Sequence, residues 1–432
     1  MKKLLVIVAS LIFATTVGAV DLQLSGDFTF RGSMIQDENG DLVSKVGNDG
    51  DYTYYNQDMN LWAKFVVNEN TMVTTKFAIL DYNWVGGSSE NGFVNSPGGE
   101  FDVERAWLTH KFSENTTLNV GLMDGGTWAT SFADTLQERQ RIVLLQMTPV
   151  GAVVGVIEKF SEDFEDGWNE DNEWNNFAIG YVTKIGEVYV KPLFYCFDVY
   201  KKVYKEIDLG GAVEAVELVL DKPTYVYALG LDGSFEKFGF ESEIVYQNNT
   251  AEQREYSVYG IYGNGWINID SFKLGAIFAY GSTEEYELGG LIPVESGFAF
   301  GDDFDLTIFL SDWANFGGGR LDSGLDSGLT GMTVFQLYGE MVVSEQLTAG
   351  ASFTYMTSNW ETGDSLRKPD DPNSILAAKF KDATAYEVDA TLDYKITDAL
   401  TYSAGIGIAN IDMDIDDIDQ CMRAYHKLVF NF

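Results

Sequence analysis

The chain has 432 residues, and 66 acidic against 28 basic side chains give a formal net charge of −38. That excess excludes nucleic acid as a partner, because phosphate backbones are bound by cationic surfaces. With 44 Gly, 29 Phe, 23 Tyr and 9 Trp against 7 Pro, the chain is rich in strand formers and in aromatics suited to membrane interfaces. A mean hydropathy near zero is what averaging an apolar strand face with a wet one produces.

In chain order, Lys2 and Lys3 precede an apolar run from Leu4 to Phe13, and the small residues ending at Val17, Gly18 and Ala19 have the form of a signal-peptidase site. The expected division is a signal peptide over 1–19 and one continuous unit over 20–432. The run is too short for a membrane helix, and no later apolar stretch reaches the length of one. In the first strand Leu22, Leu24, Phe28 and Phe30 alternate with Gln23, Ser25, Asp27, Thr29 and Arg31. In the second Tyr55, Met59, Leu61, Ala63, Phe65 and Val67 alternate with Asn56, Asp58, Asn60, Trp62 and Lys64. The same period of two returns at Phe272 to Tyr280 and at Tyr386 to Tyr394, and it marks strands rather than helices.

Short turns are expected at Asn68 to Thr71, Ser113 to Thr116, Thr148 to Gly151, Lys184 to Glu187, Glu236 to Lys237, Gly263 to Gly265, Ser344 to Gln346 and Thr397 to Ala399. Long polar stretches separate them: Ile35 to Thr53, Tyr82 to Glu100, Asp124 to Glu138, Lys201 to Pro223, Gly281 to Gly331 and Ser358 to Asp382. Short turns alternating with long loops are how transmembrane β-barrels are connected, and eight turns imply about 18 strands. Without the hairpin at Thr148 the count falls to about 16.

The last strand sets Met422, Ala424, His426, Leu428, Phe430 and Phe432 on one face and Arg423, Tyr425, Lys427, Val429 and Asn431 on the other. With its final phenylalanine it resembles the closing strand of the Gram-negative outer-membrane β-barrels. Strand-like alternation begins close to the cleavage site, which leaves no room for the plug of the TonB-dependent transporters. Over essentially the whole unit the chain resembles the porins. The resemblance implies an all-β transmembrane antiparallel barrel in outer-membrane lipid, passing ions and small hydrophilic solutes, and often trimeric.

Strand parity turns Arg31, Lys64, Arg105, Lys111, Arg423 and Lys427 inward on strands that become neighbours when the sheet closes. Glu241, Glu243, Glu340, Glu387, Asp389 and Asp393 turn inward from the eleventh strand onward. Opposed basic and acidic walls create a transverse field, and the overall acidic balance favours cations. Trp62, Trp107 and Tyr338 also point inward. Porins carry a loop folded into the lumen, and that resemblance points first to Asp124 to Glu138, with Asp124, Asp134 and Glu138. The stretch Gly281 to Gly331, with its apolar insert Leu306 to Leu310, is the rival.

Two acidic clusters invite Ca²⁺ or Mg²⁺: Glu162 to Glu173, and Asp412, Asp414 and Asp416 with Asp417 and Asp419. Neither has an EF-hand spacing, and solvated loop charge is the competing reading. Cys196 and Cys421 lie far apart in sequence, and nothing positions them to pair. His110 and His426 fall on the expected lipid face, no GxSxG, HExxH or phosphate-binding loop is present, and an enzyme is not expected. The first functional expectation is a cation-preferring diffusion channel. A substrate-selective channel and a surface structural or adhesive barrel are the alternatives.

Overall fold

The structure, a computed structural model, describes residues 20–37, 52–85, 102–134, 138–162, 173–208, 213–220, 223–250, 255–288, 292–301, 304–310, 330–360, 383–412 and 418–432. Its strands are β1 (Asp21–Asp37), β2 (Tyr52–Asn68), β3 (Thr71–Val85), β4 (Asp102–Ser113), β5 (Thr116–Met123), β6 (Arg139–Thr148), β7 (Gly151–Glu162), β8 (Glu173–Ile185), β9 (Val188–Asp208), β10 (Val213–Leu220) and β11 (Thr224–Ser234). They continue with β12 (Phe238–Asn249), β13 (Tyr256–Ile269), β14 (Phe272–Gly281), β15 (Thr283–Leu288), β16 (Ile292–Gly297), β17 (Met332–Ser344), β18 (Leu347–Ser358), β19 (Thr384–Lys395), β20 (Leu400–Asp412) and β21 (Ile418–Asn431).

Eighteen of these form a closed antiparallel barrel in which each strand pairs with the next barrel strand in sequence and β21 pairs back onto β1. The others are additions. β10 folds onto the distal half of β9, while β15 and β16 make a separate hairpin between β14 and β17. At the closing seam Gly26 and Phe432 exchange two backbone hydrogen bonds of 2.8 and 3.0 Å. A Cβ at residue 26 would come within 2.5 Å of the Phe432 ring, so glycine is what lets the terminal ring lie across β1.

The alternation read from sequence appears as an inverted burial pattern. On β19 Tyr386 and Val388 are 47% and 51% exposed, while Glu387 and Asp389 between them are 0% and 4% exposed. Leu108, Ile142, Ile179, Ile244, Leu337 and Phe353 likewise present their side chains outward. In water such a surface would drive aggregation; against lipid it is the solvated face, and the polar face is turned in.

All eight short connections are present, the hairpin Thr148–Gly151 among them. One lies elsewhere than expected. Gly263 to Gly265 is inside β13, paired with β12 and β14, and the turn falls at Asp270 and Ser271. Asp270 has φ 51°, a left-handed conformation that aspartate tolerates better than most residues. The glycines mislead because their faces are open: a Cβ at 263 or 265 would meet nothing within 4 Å. Cys196 on β9 and Cys421 on β21 sit on strands that do not pair with each other. The expected signal peptide, Asp414, Asp416 and the acidic stretch 163–172 lie outside the described residues.

Candidate functional site: two loops across the lumen

Two segments leave the wall and fold inside the barrel. The first lies between β5 and β6 and is described over Asp124–Asp134 and at Glu138. Arg105 on β4 ties both of its ends: Nη1 donates to Asp124 at 2.6 Å, and Nε and Nη2 donate to Glu138 at 3.3 and 3.2 Å. Arg141 on β6 donates to the carbonyls of Asp124 and Gly125, and its Nε reaches Glu158 at 2.6 Å. Glu158 has no exposed side-chain surface and also accepts from Arg139, Asn176 and Tyr195. Burying a carboxylate is costly unless it is surrounded in this way by donors and cations.

Further along, the Trp128 indole N–H donates to the Lys191 carbonyl on β9, and its six-membered ring occupies the space a side chain at Gly180 of β8 would need. Ala129 rests on Gly230 of β11 in the same way. Thr130 donates to Glu243 of β12 through its N–H at 3.1 Å and its hydroxyl at 2.6 Å, and caps the 3-10 turn Ser131–Ala133. Thr127 donates to the buried Asp134, which closes the loop on itself.

The second segment follows β16, through Phe298–Gly301 and Phe304–Leu310. Its Phe298 ring covers Gly260 of β13, and Ile308 packs on Gly405 and Gly407 of β20. The N–H groups of Phe309 and Leu310 donate to Glu387 at 2.7 and 2.9 Å, and that of Ile308 to Asp389 at 3.4 Å. Arg423 on β21 donates to the Ile308 carbonyl at 3.1 Å, and Gln336 on β17 donates to that of Leu306 at 2.5 Å. Asp305 has an open surface, yet partial loss of water inside the barrel raises its carboxyl above the usual aspartate range. Arg31 and Arg423 pull against that shift.

Contacts made to one face of a closed sheet, from β4 round to β21, can only be made from within it. The sequence set the two segments as rivals for the inward position; both occupy it. Glu243, Glu387 and Asp389, expected to face inward on an acidic wall, are covered there by the loops, whose N–H groups donate to them. Inward glycines at 180, 230, 260, 405 and 407 mark the seats, because only a residue without a Cβ lets a loop side chain or backbone approach so closely.

The remaining expected residues are spread along the wall. Arg31 faces Lys427 across the β1–β21 pair, and Lys427 lies within electrostatic reach of Arg31, Asp393 and Asp58. Asp393 accepts from Ser403 at 2.5 Å, and Glu241 accepts from Tyr262 and Asn264. Lys64 is half-buried on β2, while Lys111 and Glu340 are exposed near turns. Trp62 and Trp107 meet edge to face at 6.2 Å, with Lys76 and Arg105 beside the Trp62 ring. Tyr338 donates to Asn264 at 2.9 Å. Asp412 is exposed at the end of β20, and among the described residues no cluster of three His, Cys, Asp or Glu is arranged to hold a metal.

Sequence reasoning missed Arg139, Arg141, Glu158, Asn176 and Tyr195. On β6 both faces carry aliphatics, Ile142 and Leu144 outward, Val143 and Leu145 inward, so alternation is blurred beside the two arginines.

No protein-family model matches the sequence, and no curated protein sequence matches it. Solved structures do share its fold. The BenF-like porin from Pseudomonas fluorescens Pf-5 superposes with a TM-score of 0.57 at 8% identity, over 95% of this chain and 98% of that one. Pseudomonas aeruginosa OpdO gives 0.55 at 9%, over 95% and 97%, and Acinetobacter baumannii OccAB2 gives 0.53 at 13%, over 95% and 98%. The chain therefore has the fold of the bacterial porins, and its apolar outer face matches that of a barrel in the outer membrane.

Proposed function

We propose that the chain forms a water-filled channel for passive diffusion of ions and small hydrophilic solutes, with a preference for cations. The observation that carries this reading is the way the two loops are held. Each is fixed to the wall by buried carboxylates, arginines and glycine seats, the kind of rigid bracing an aperture needs and a surface scaffold does not. In this reading the passage runs beside β1 to β4, flanked by Arg31, Lys64, Arg105 and Lys427 with Asp27 and Asp58 among them. The cation preference comes from the excess of 66 acidic over 28 basic residues and is tempered by that cationic strip, so it weakens as salt screens the field.

Liposomes carrying the refolded protein test this. Swelling in isotonic monosaccharide that slows with di- and trisaccharides supports a sized aqueous passage; no swelling with any of them, from protein in its folded form, rejects it. The sign of the reversal potential in a KCl gradient decides the ion preference separately.

A further inference from the structure

Phe132 sits where the two loops meet. It has no exposed surface, and its ring stacks on Tyr262 of β13 at 5.5 Å and 15°. Three rings of the other loop surround it: Phe298 at 5.3 Å, Phe300 at 4.9 Å and Phe304 edge-on at 5.4 Å. The backbones join as well, since the Gly301 N–H donates to the Phe132 carbonyl at 2.8 Å. A Cβ at Gly301 would lie 2.2 Å from the Ser131 carbonyl oxygen and 2.7 Å from the Asp134 nitrogen, so the loops touch without space for a side chain.

A continuous tie therefore crosses the barrel. It runs from Glu243 on β12 to Thr130, through the capped turn to Phe132, across to Gly301 and Phe304, and on to Ile308–Leu310 with Glu387 on β19 and Arg423 on β21. The hydrogen-bonded wall cannot change its width without breaking strand pairing, so the aperture is set by what projects inward from it, and the two loops project furthest.

Resting on the channel reading, we infer that Phe132 is the joint that determines which solutes pass. It couples the β5–β6 loop to the 298–310 loop, and the aperture belongs to the joined pair rather than to either loop. Removing the ring takes away the side-chain part of the joint and leaves the Gly301–Phe132 backbone bond to hold it. Each loop then moves mainly on its own wall anchors, and loss of an anchor on one loop is resisted less by the other.

Single-channel conductance tests this on wild type, Phe132→Ala, Glu387→Ala and the double variant, each shown to be folded by heat-modifiable migration. Phe132→Ala is expected to raise the current by about two-fold, because current follows the open cross-section of a wide aqueous channel, and to admit larger sugars. Glu387→Ala is expected to have a larger effect in the Phe132→Ala background than in wild type, a non-additivity that reports coupling. Gly301→Val, which wedges the joint open while keeping the ring, carries the same expectation if Phe132→Ala does not fold. A conducting wild type with Phe132→Ala or Gly301→Val unchanged, or with strictly additive effects, overturns the inference and leaves the channel standing. A folded wild type that does not conduct defeats the channel reading itself.

Discussion

Glu158 shows how much one side chain carries. It has no exposed side-chain surface and receives Arg139 and Arg141 together. Glu158→Gln keeps the shape and removes the charge, leaving two guanidinium groups facing each other inside the wall. The expected cost is about 3 kcal/mol, the scale for breaking a buried ion pair from one side. It would be read as a lower temperature for conversion of the folded to the unfolded electrophoretic band, and an unchanged midpoint would mean that the arginines find other acceptors. Glu387 acts differently, because its partners are backbone N–H groups. Glu387→Ala orphans the Phe309 and Leu310 amides, at about 1–3 kcal/mol each if they stay buried, and the expected readout is a noisier open-channel current with the barrel intact. Glu387→Gln keeps one carbonyl acceptor and should fall between. Period-two parity was enough to turn Glu243, Glu387 and Asp389 inward. It could not reveal what would meet them, since Thr130 lies 113 positions from Glu243 and Phe309 lies 78 positions from Glu387.

Among the elements, strands were more legible than loops. Strand alternation is a local signal, repeated in every hairpin, and it yielded the barrel and the number of its turns. The turn misplaced at Gly263 shows the limit of reading glycine as a breaker. In β13 glycine serves strand faces, one of them the seat of Phe298 on Gly260, whereas the reversal is made by Asp270 in a left-handed conformation. Asp270→Gly should be tolerated, while Asp270→Val should cost about 1–2 kcal/mol because a β-branched residue is forced into positive φ. Urea titration of the folded band would check both. A glycine whose face turns inward, such as Gly180 or Gly230, carries information about loops that pattern reading did not use. Gly180→Val places side-chain atoms where the Trp128 ring lies, and it should lift the β5–β6 loop from the wall, raising conductance without loss of the folded barrel. Unaltered conductance in that variant would mean that Trp128 can move aside without disturbing the passage.

For the whole molecule, closure and charge act together. β1 and β21 complete a ring whose outer face is apolar and whose inner face carries carboxylates, arginines and the bridging loops. The formal charge of −38 describes the chain, while the passage proposed here would be flanked by a local strip that includes Arg31, Lys64, Arg105 and Lys427; composition alone could not separate the two. In the proposed reading the acidic excess of the whole chain outweighs that strip, so cation preference should be present at low salt and fade toward molar KCl, where the screening length shrinks to about 3 Å. All of this depends on an open path past the two loops. The recording to make is of single-channel current across a planar bilayer from refolded, heat-modifiable protein in a KCl gradient. Steady unitary steps, with a reversal potential of cation-selective sign at low salt, are expected. A folded barrel that inserts and passes no current would show that the loops close the lumen rather than size it.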